Sequence, residues 1–166
     1  MSELYIVCGE PGIGKSRVAS HIAEATDAQR IATDEVRKEL FGPDPDYTRG
    51  ESQATYDAMF ERARGWLIDG IPVVLDATFM LKKGRERAAA LAENFANSFT
   101  IVRVRCASSI VENRIEGRDG ASDADFSVHQ SIRDRFEPLE QQHISIHNEG
   151  SWSETTKQIH ERVLQK

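Results

Sequence analysis

Short apolar runs rich in Val and Ile punctuate the chain at LYIVC (4–8), RIAT (30–33), PVVLDA (72–77), FTIVRVRC (99–106) and ISIH (144–147). Between them the apolar positions change period. Tyr56, Met59, Phe60, Ala63 and Leu67 recur at helical spacing, as do Ala88, Leu91, Ala92 and Phe95, and later Trp152, Thr156, Ile159 and Val163. Runs of the first kind read as strands, and stretches of the second kind as helices with one face in the core. Strands that alternate with helices predict a parallel sheet with right-handed crossovers and helices on both faces, a three-layer α/β/α arrangement on a five-stranded sheet. GPDPDYTRG (42–50) and GRDGASDAD (117–125) are polar, carry Gly and Asp, and read as loops. One pair of residues runs against this pattern. Arg103 and Arg105 share a face of the fourth strand, where a parallel sheet is ordinarily apolar. Either that face meets the active site or the strand is less covered than its neighbours.

Between the first strand and the helical stretch RVASHIAEA lies GEPGIGKS, Gly9 to Ser16, with the spacing G-x-x-x-x-G-K-S. Gly9, Gly12 and Gly14 let the backbone turn tightly and bring successive N–H groups toward an anion. Lys15 can reach β- and γ-phosphate oxygens, the Ser16 hydroxyl can ligate Mg²⁺, and the helix that starts here adds its positive end. Glu10, Pro11, Ile13 and Arg17 complete the stretch expected to hold a nucleotide. The strand before the loop and the helix after it are the context the motif requires.

Ligands of an open parallel sheet bind beyond the carboxyl ends of its strands, so the residues that follow each apolar run are candidates for chemistry. After the second strand, Asp34 could accept a hydroxyl proton from an acceptor molecule. Arg37, one helical turn on, could grip that molecule's anionic group. After the third strand, Asp76 stands where a carboxylate would help Ser16 hold Mg²⁺. ENRIEGRDG places Arg114 and Arg118 on one helical face, where they could neutralise charge on a transferring phosphoryl group. Tyr47, Phe79 and Arg85, with Arg37, are the expected walls of an acceptor pocket.

The chain has 166 residues, with 21 Lys and Arg against 27 Asp and Glu, a net charge of −6. That length fits one domain with a proper core. The charge disfavours a polyanionic partner unless a local basic patch exists. Cys8 and Cys106 both close apolar runs and read as small core residues, and the five His are scattered, so no zinc site is expected. The chain enters a strand almost at once and has no apolar run of the ~18 residues that span a membrane. The expectation is a cytoplasmic protein without a membrane partner, monomeric or homodimeric.

GEPGIGKS, TDEVRKELFG, YDAMFERARGWLIDGIPVVLDAT, ENRIEGR and IRDRFEPLE together resemble the small P-loop kinases that include polynucleotide 5′-hydroxyl kinases, with zeta-toxin and chloramphenicol phosphotransferase-type enzymes as more distant relatives. The resemblance runs from about Leu4 to Glu140. It implies a P-loop NTPase fold with a helical lid at about 114–126 and an activity that uses ATP and Mg²⁺. It also implies Asp34 as general base, Arg37 on the acceptor, Arg114 and Arg118 as lid arginines, and Asn148 beside the adenine. One departure bears on the acceptor: such polynucleotide kinases tend to read D-x-T-N after the third strand, and here the stretch is DATF, with Phe79 in the last place. Two kinds of protein are compatible with these residues. The first is a kinase acting on a hydroxyl, a small-molecule acceptor ranking ahead of a polynucleotide 5′-hydroxyl. The second is a nucleotide-dependent switch or ATPase. No N-K-x-D guanine motif is present, which counts against GTP.

Overall fold

The computed structural model describes residues 2–116 and 123–165, with the backbone alone at 123–125. The elements run β1 (Glu3–Cys8), α1 (Lys15–Thr26), β2 (Gln29–Ala32), α2 (Thr33–Phe41), α3 (Arg49–Ile68), β3 (Val73–Asp76), α4 (Lys82–Phe95), β4 (Ser98–Arg105), α5 (Ser108–Glu116), α6 (Asp123–Arg135), β5 (Ile144–His147) and α7 (Trp152–Ile159), which passes into a π-helical turn at His160–Leu164. The five strands are all parallel, in the order β2-β3-β1-β4-β5. Each expected strand is present, with its ends moved by a residue at most.

Strand alternation divides the core in two. Leu4, Ile6 and Leu75 point to the face covered by Val36, Met59, Phe60 and Ala88 from α2, α3 and α4. Tyr5, Val7 and Val104 point the other way, to Val18, Ile22, Val111 and Ile159 from α1, α5 and α7. Each fully buried aliphatic side chain contributes about 1.5–3 kcal/mol, so the two layers jointly fix the sheet and hold the carboxyl ends of its strands in one row.

Capping explains two boundaries. The loop expected at 42–50 stops at Thr48, whose hydroxyl accepts the Glu51 N–H at 3.1 Å and starts α3. Ser151 does the same for Glu154 at 3.1 Å and starts α7. In α7 it is Thr155, not Thr156, that is buried, because its hydroxyl donates to Asn148 Oδ1 at 2.8 Å. Among the described residues no helix is long and apolar enough to cross a membrane.

Candidate active site

β1 ends at Cys8 in the middle of the sheet, and the chain then loops through Gly9–Gly14 before Lys15 opens α1. The loop is held at several points. Gly9 N donates to Thr78 O at 3.1 Å, tying it to the exit of β3. Asn148 Nδ2 donates to Ile13 O at 2.8 Å, tying it to the exit of β5. From α6, His129 Nδ1 donates to Pro11 O at 2.9 Å. Gly14 has φ +83°, and a Cβ there would strike the Asn148 amide. Gly14→Ala is therefore expected to cost about 1–2 kcal/mol for the left-handed backbone alone and to release Asn148 from Ile13. Urea unfolding and nucleotide titration check both effects.

Lys15 Nζ lies 2.9 Å from Asp76 Oδ1, and Arg30 approaches Asp76 Oδ2 from Nη2 at 2.7 Å and from Nε at 3.2 Å. Arg30 and Asp76 share a sheet face because Arg30 is in register with Val74 on the neighbouring strand. Burial raises the Asp76 pKa, but the charges and hydrogen bonds of Lys15 and Arg30 outweigh it and hold the carboxyl below its ordinary range. The sign follows: the stabilisation is complete above the unfolded value of about 4 and is lost as pH falls through the lower folded value. Asp76→Asn should accordingly flatten the acid limb of stability against pH. Parallel acid limbs in the two proteins would contradict the pairing.

Arg103 answers the anomaly on the fourth strand. Its Nη2 and Nη1 meet Glu10 Oε1 and Oε2 at 2.7 and 3.0 Å, Nη1 also donates to Val104 O at 2.6 Å, and the guanidinium lies 4.3 Å from the Phe136 ring centroid. Both partners are buried. Burial raises the Glu10 pKa, and the hydrogen bond and charge of Arg103 reverse that into a net lowering. Glu10, whose place in the loop carries the nucleotide expectation, spends its carboxylate on anchoring the loop to β4.

A cavity of about 410 Å³ opens beside the loop, lined by Gly12, Gly14, Arg17, Arg114, Asn148 and Trp152, among others. Arg17 lies 4.0 Å from the Trp152 ring centroid, and Arg114 Nη1 donates to Cys106 Sγ at 3.6 Å. Cys106 is half-buried and Cys8 fully buried; burial pushes the Cys8 thiol up to about 11. On the other side of the loop, Asp34 is exposed in the first turn of α2, without a partner among the described residues. Arg37 is buried. It donates from Nη2 to Ser52 Oγ at 3.1 Å and lies 4.8 Å from the ring centroid of exposed Tyr47, while its Nε has no partner among the described residues.

Two expected pocket residues do not line an open pocket. Phe79 is 1% exposed and packs edge-on against Tyr56 at 5.5 Å, inside the first core layer. Arg85 is fully buried, and its guanidinium donates to Phe79 O, Glu137 O and Pro138 O at 2.8, 3.1 and 2.9 Å, so it staples segments together. Arg118 and the stretch 117–122 of the expected lid lie outside the described residues. Ser16 is exposed at the start of α1. Sequence reasoning missed Arg30, His129 and the role of Trp152. A positive charge opening a strand beside Asp76 was the available signal for Arg30, whereas nothing in the spacing marked His129.

A parallel sheet of this order, with a G-x-x-x-x-G-K-S loop rising from its central strand, defines a P-loop protein with the small-kinase fold. A family profile described as an AAA domain matches residues 4–139, and the chain belongs to that family. Among solved structures, a gluconokinase from Sinorhizobium meliloti superposes with a TM-score of 0.72 at 21% identity, covering 95% of this chain and 88% of that one. An APS kinase from Mycobacterium tuberculosis, solved with AMPPNP and APS, gives a TM-score of 0.72 at 15% identity and covers 99% and 98%. These likenesses are of fold. In sequence, an uncharacterized protein of Mycobacterium tuberculosis is 33% identical over 146 residues, covering 80% of this chain and 29% of that protein. The chain thus matches under a third of its curated relatives' length.

Proposed function

We propose that the protein is an ATP- and Mg²⁺-dependent kinase that phosphorylates a hydroxyl of a small acceptor bearing an anionic group. The observation that carries this reading is the position of Lys15, at the mouth of the glycine loop and 2.9 Å from Asp76. Phosphate oxygens arriving at the loop would compete with Asp76 for the ammonium. Loss of Lys15 to a phosphate would free one Asp76 oxygen, so Ser16 and Asp76 suit Mg²⁺, which would supply positive charge to the β- and γ-phosphates. The cavity between Arg17, Arg114, Asn148 and Trp152 is the proposed seat of the adenine, because it adjoins the loop and offers a flat aromatic and cationic wall.

In the transfer itself, the acceptor oxygen bonds to the γ-phosphorus as the bond to the β-phosphate bridging oxygen breaks, ADP departs, and the hydroxyl proton passes to Asp34. Arg37 supports the anionic group: it is a buried guanidinium with a free Nε and no carboxylate partner among the described residues. Arg114, with Arg118, is proposed to neutralise charge on the moving phosphoryl group. The whole chain is read as one kinase domain with its lid at about 114–126, in the cytoplasm.

The test is transfer from labelled ATP to a panel of sugar acids, polyols, nucleosides and 5′-hydroxyl oligonucleotides. Labelling is expected on an anionic small hydroxyl compound, with Asp34→Asn lowering transfer about 100-fold and leaving AMPPNP affinity unchanged. A parallel loss of AMPPNP affinity would assign Asp34 to the metal. Efficient oligonucleotide labelling that weakens steeply with salt, by a log–log slope of about −0.7 per phosphate contacted, would overturn the small-acceptor assignment.

A further inference from the structure

A larger cavity, of about 520 Å³, lies on the opposite face of β4 from the proposed adenine seat. Alternation places it there: Val102 and Val104 face α1, so Arg103 and Arg105 face the other way. Beside them on β5 stand Ser145, in register with Arg103, and His147, in register with Arg105. Phe136 and Leu139, from the segment after α6, form the apolar wall, and Arg133 at the end of α6 reaches the same space.

Its charges balance in number, but among the described residues only Glu10 of the lining glutamates meets an arginine. Three arginines and three glutamates line the cavity. Glu10 is consumed at both oxygens by Arg103. Glu149 accepts the Ala107 N–H at 3.1 Å, and Glu137 accepts the Lys82 N–H at 3.3 Å. Arg105 donates from Nε to Ser145 Oγ at 3.1 Å, and Arg133 donates to the Ser108 hydroxyl; neither meets a carboxylate among the described residues. Arg105 is half-buried, and burial followed by the neighbouring Arg103 charge lowers its pKa against the opposing charge of Glu10. Glu10 offsets part of the cost of two neighbouring guanidinium groups, and the terminal nitrogens of Arg105 still meet no carboxylate among the described residues.

We propose that this cavity is a second ligand site, in which the terminal nitrogens of Arg105, with Arg133, bind a small carboxylate or phosphoryl group. A planar guanidinium presents two parallel donors to either group, and the apolar wall of Phe136 and Leu139 accommodates the rest of a metabolite-sized molecule. The site does not rest on the kinase reading. It shares only Glu10 with the glycine loop, and that carboxylate is already committed.

Malonate and inorganic phosphate are titrated calorimetrically, with excess AMPPNP present to occupy the glycine loop, into the full chain and into Arg105→Gln, Arg133→Gln and Lys15→Ala. The Nε–H resonance of Arg105 is followed in parallel. Expected are saturable binding of at least one anion, a shift of the Arg105 resonance, an affinity weakened about tenfold or more in Arg105→Gln, a smaller loss in Arg133→Gln, and unchanged affinity in Lys15→Ala. Preference for malonate or phosphate then identifies the group as carboxylate or phosphoryl. Arg133 is exposed, so its variant reports on the site even if Arg105→Gln folds poorly. No binding of either anion, or binding that survives both arginine changes, overturns the proposal. So does binding lost in Lys15→Ala, which would locate the anion on the glycine loop. Absence of ATP turnover with anion binding intact would remove the kinase reading and leave this site standing.

Discussion

Lys15→Ala is expected to lower ATP turnover by about 10²–10³-fold, the scale of losing one aimed donor to developing charge, while the chain still folds. Lys15 is mostly buried at the start of α1, yet it supports no apolar contact of the core and its only described partner is Asp76. Removing it leaves Asp76 with both hydrogen bonds from Arg30, so the carboxylate stays compensated. The stability lost should be about 2 kcal/mol, one charge-assisted hydrogen bond. Turnover, AMPPNP titration and a urea midpoint on the same preparation separate the two effects. Turnover within twofold of the parent would end the reading of the loop as the phosphate site.

Glu10→Ala should have the largest effect on stability. It strips a doubly bonded carboxylate from Arg103 and leaves a buried guanidinium with one carbonyl and an aromatic face. Breaking a buried ion pair from one side costs about 3–5 kcal/mol, a large share of the 5–15 kcal/mol typical of a domain. Replacing both members, Glu10→Met with Arg103→Met, should recover much of that loss, because no charge is then stranded. Urea midpoints at constant slope measure each variant. A single variant as stable as the parent, or a double variant no better than the single, would show that the pair does not bear on folding.

The alternation of strands and helices was readable because burial on a sheet and on a helix leaves different periods, and the glycine loop because its chemistry needs fixed spacing. The partners of buried charges were not. Glu10 and Arg103 are 93 residues apart, and their pairing depends on β1 and β4 lying side by side, which no local pattern encodes. The same blindness misplaced Arg85. It is an expected wall of the acceptor pocket, but α4 turns it inward to carbonyls more than fifty residues away. Phe79 was ambiguous for another reason: an aromatic side chain at a strand exit can wall a pocket or fill a core, and the rings of Tyr56 and Phe60 decide for the core. Resemblance alone puts Asn148 beside the adenine, while its bonds to Ile13 and Thr155 are visible only in three dimensions.

The triple grip of Arg85 has a mechanical consequence. One guanidinium binds the turn after β3, through Phe79 O, and the chain after α6, through Glu137 O and Pro138 O, and Glu137 N donates to Met80 O at 2.8 Å beside it. The turn that follows Asp76 and the chain just after α6 are therefore tied to each other at one point. A lysine in place of Arg85 could hold one of the three carbonyls at a time. It would loosen that tie without emptying the core around it.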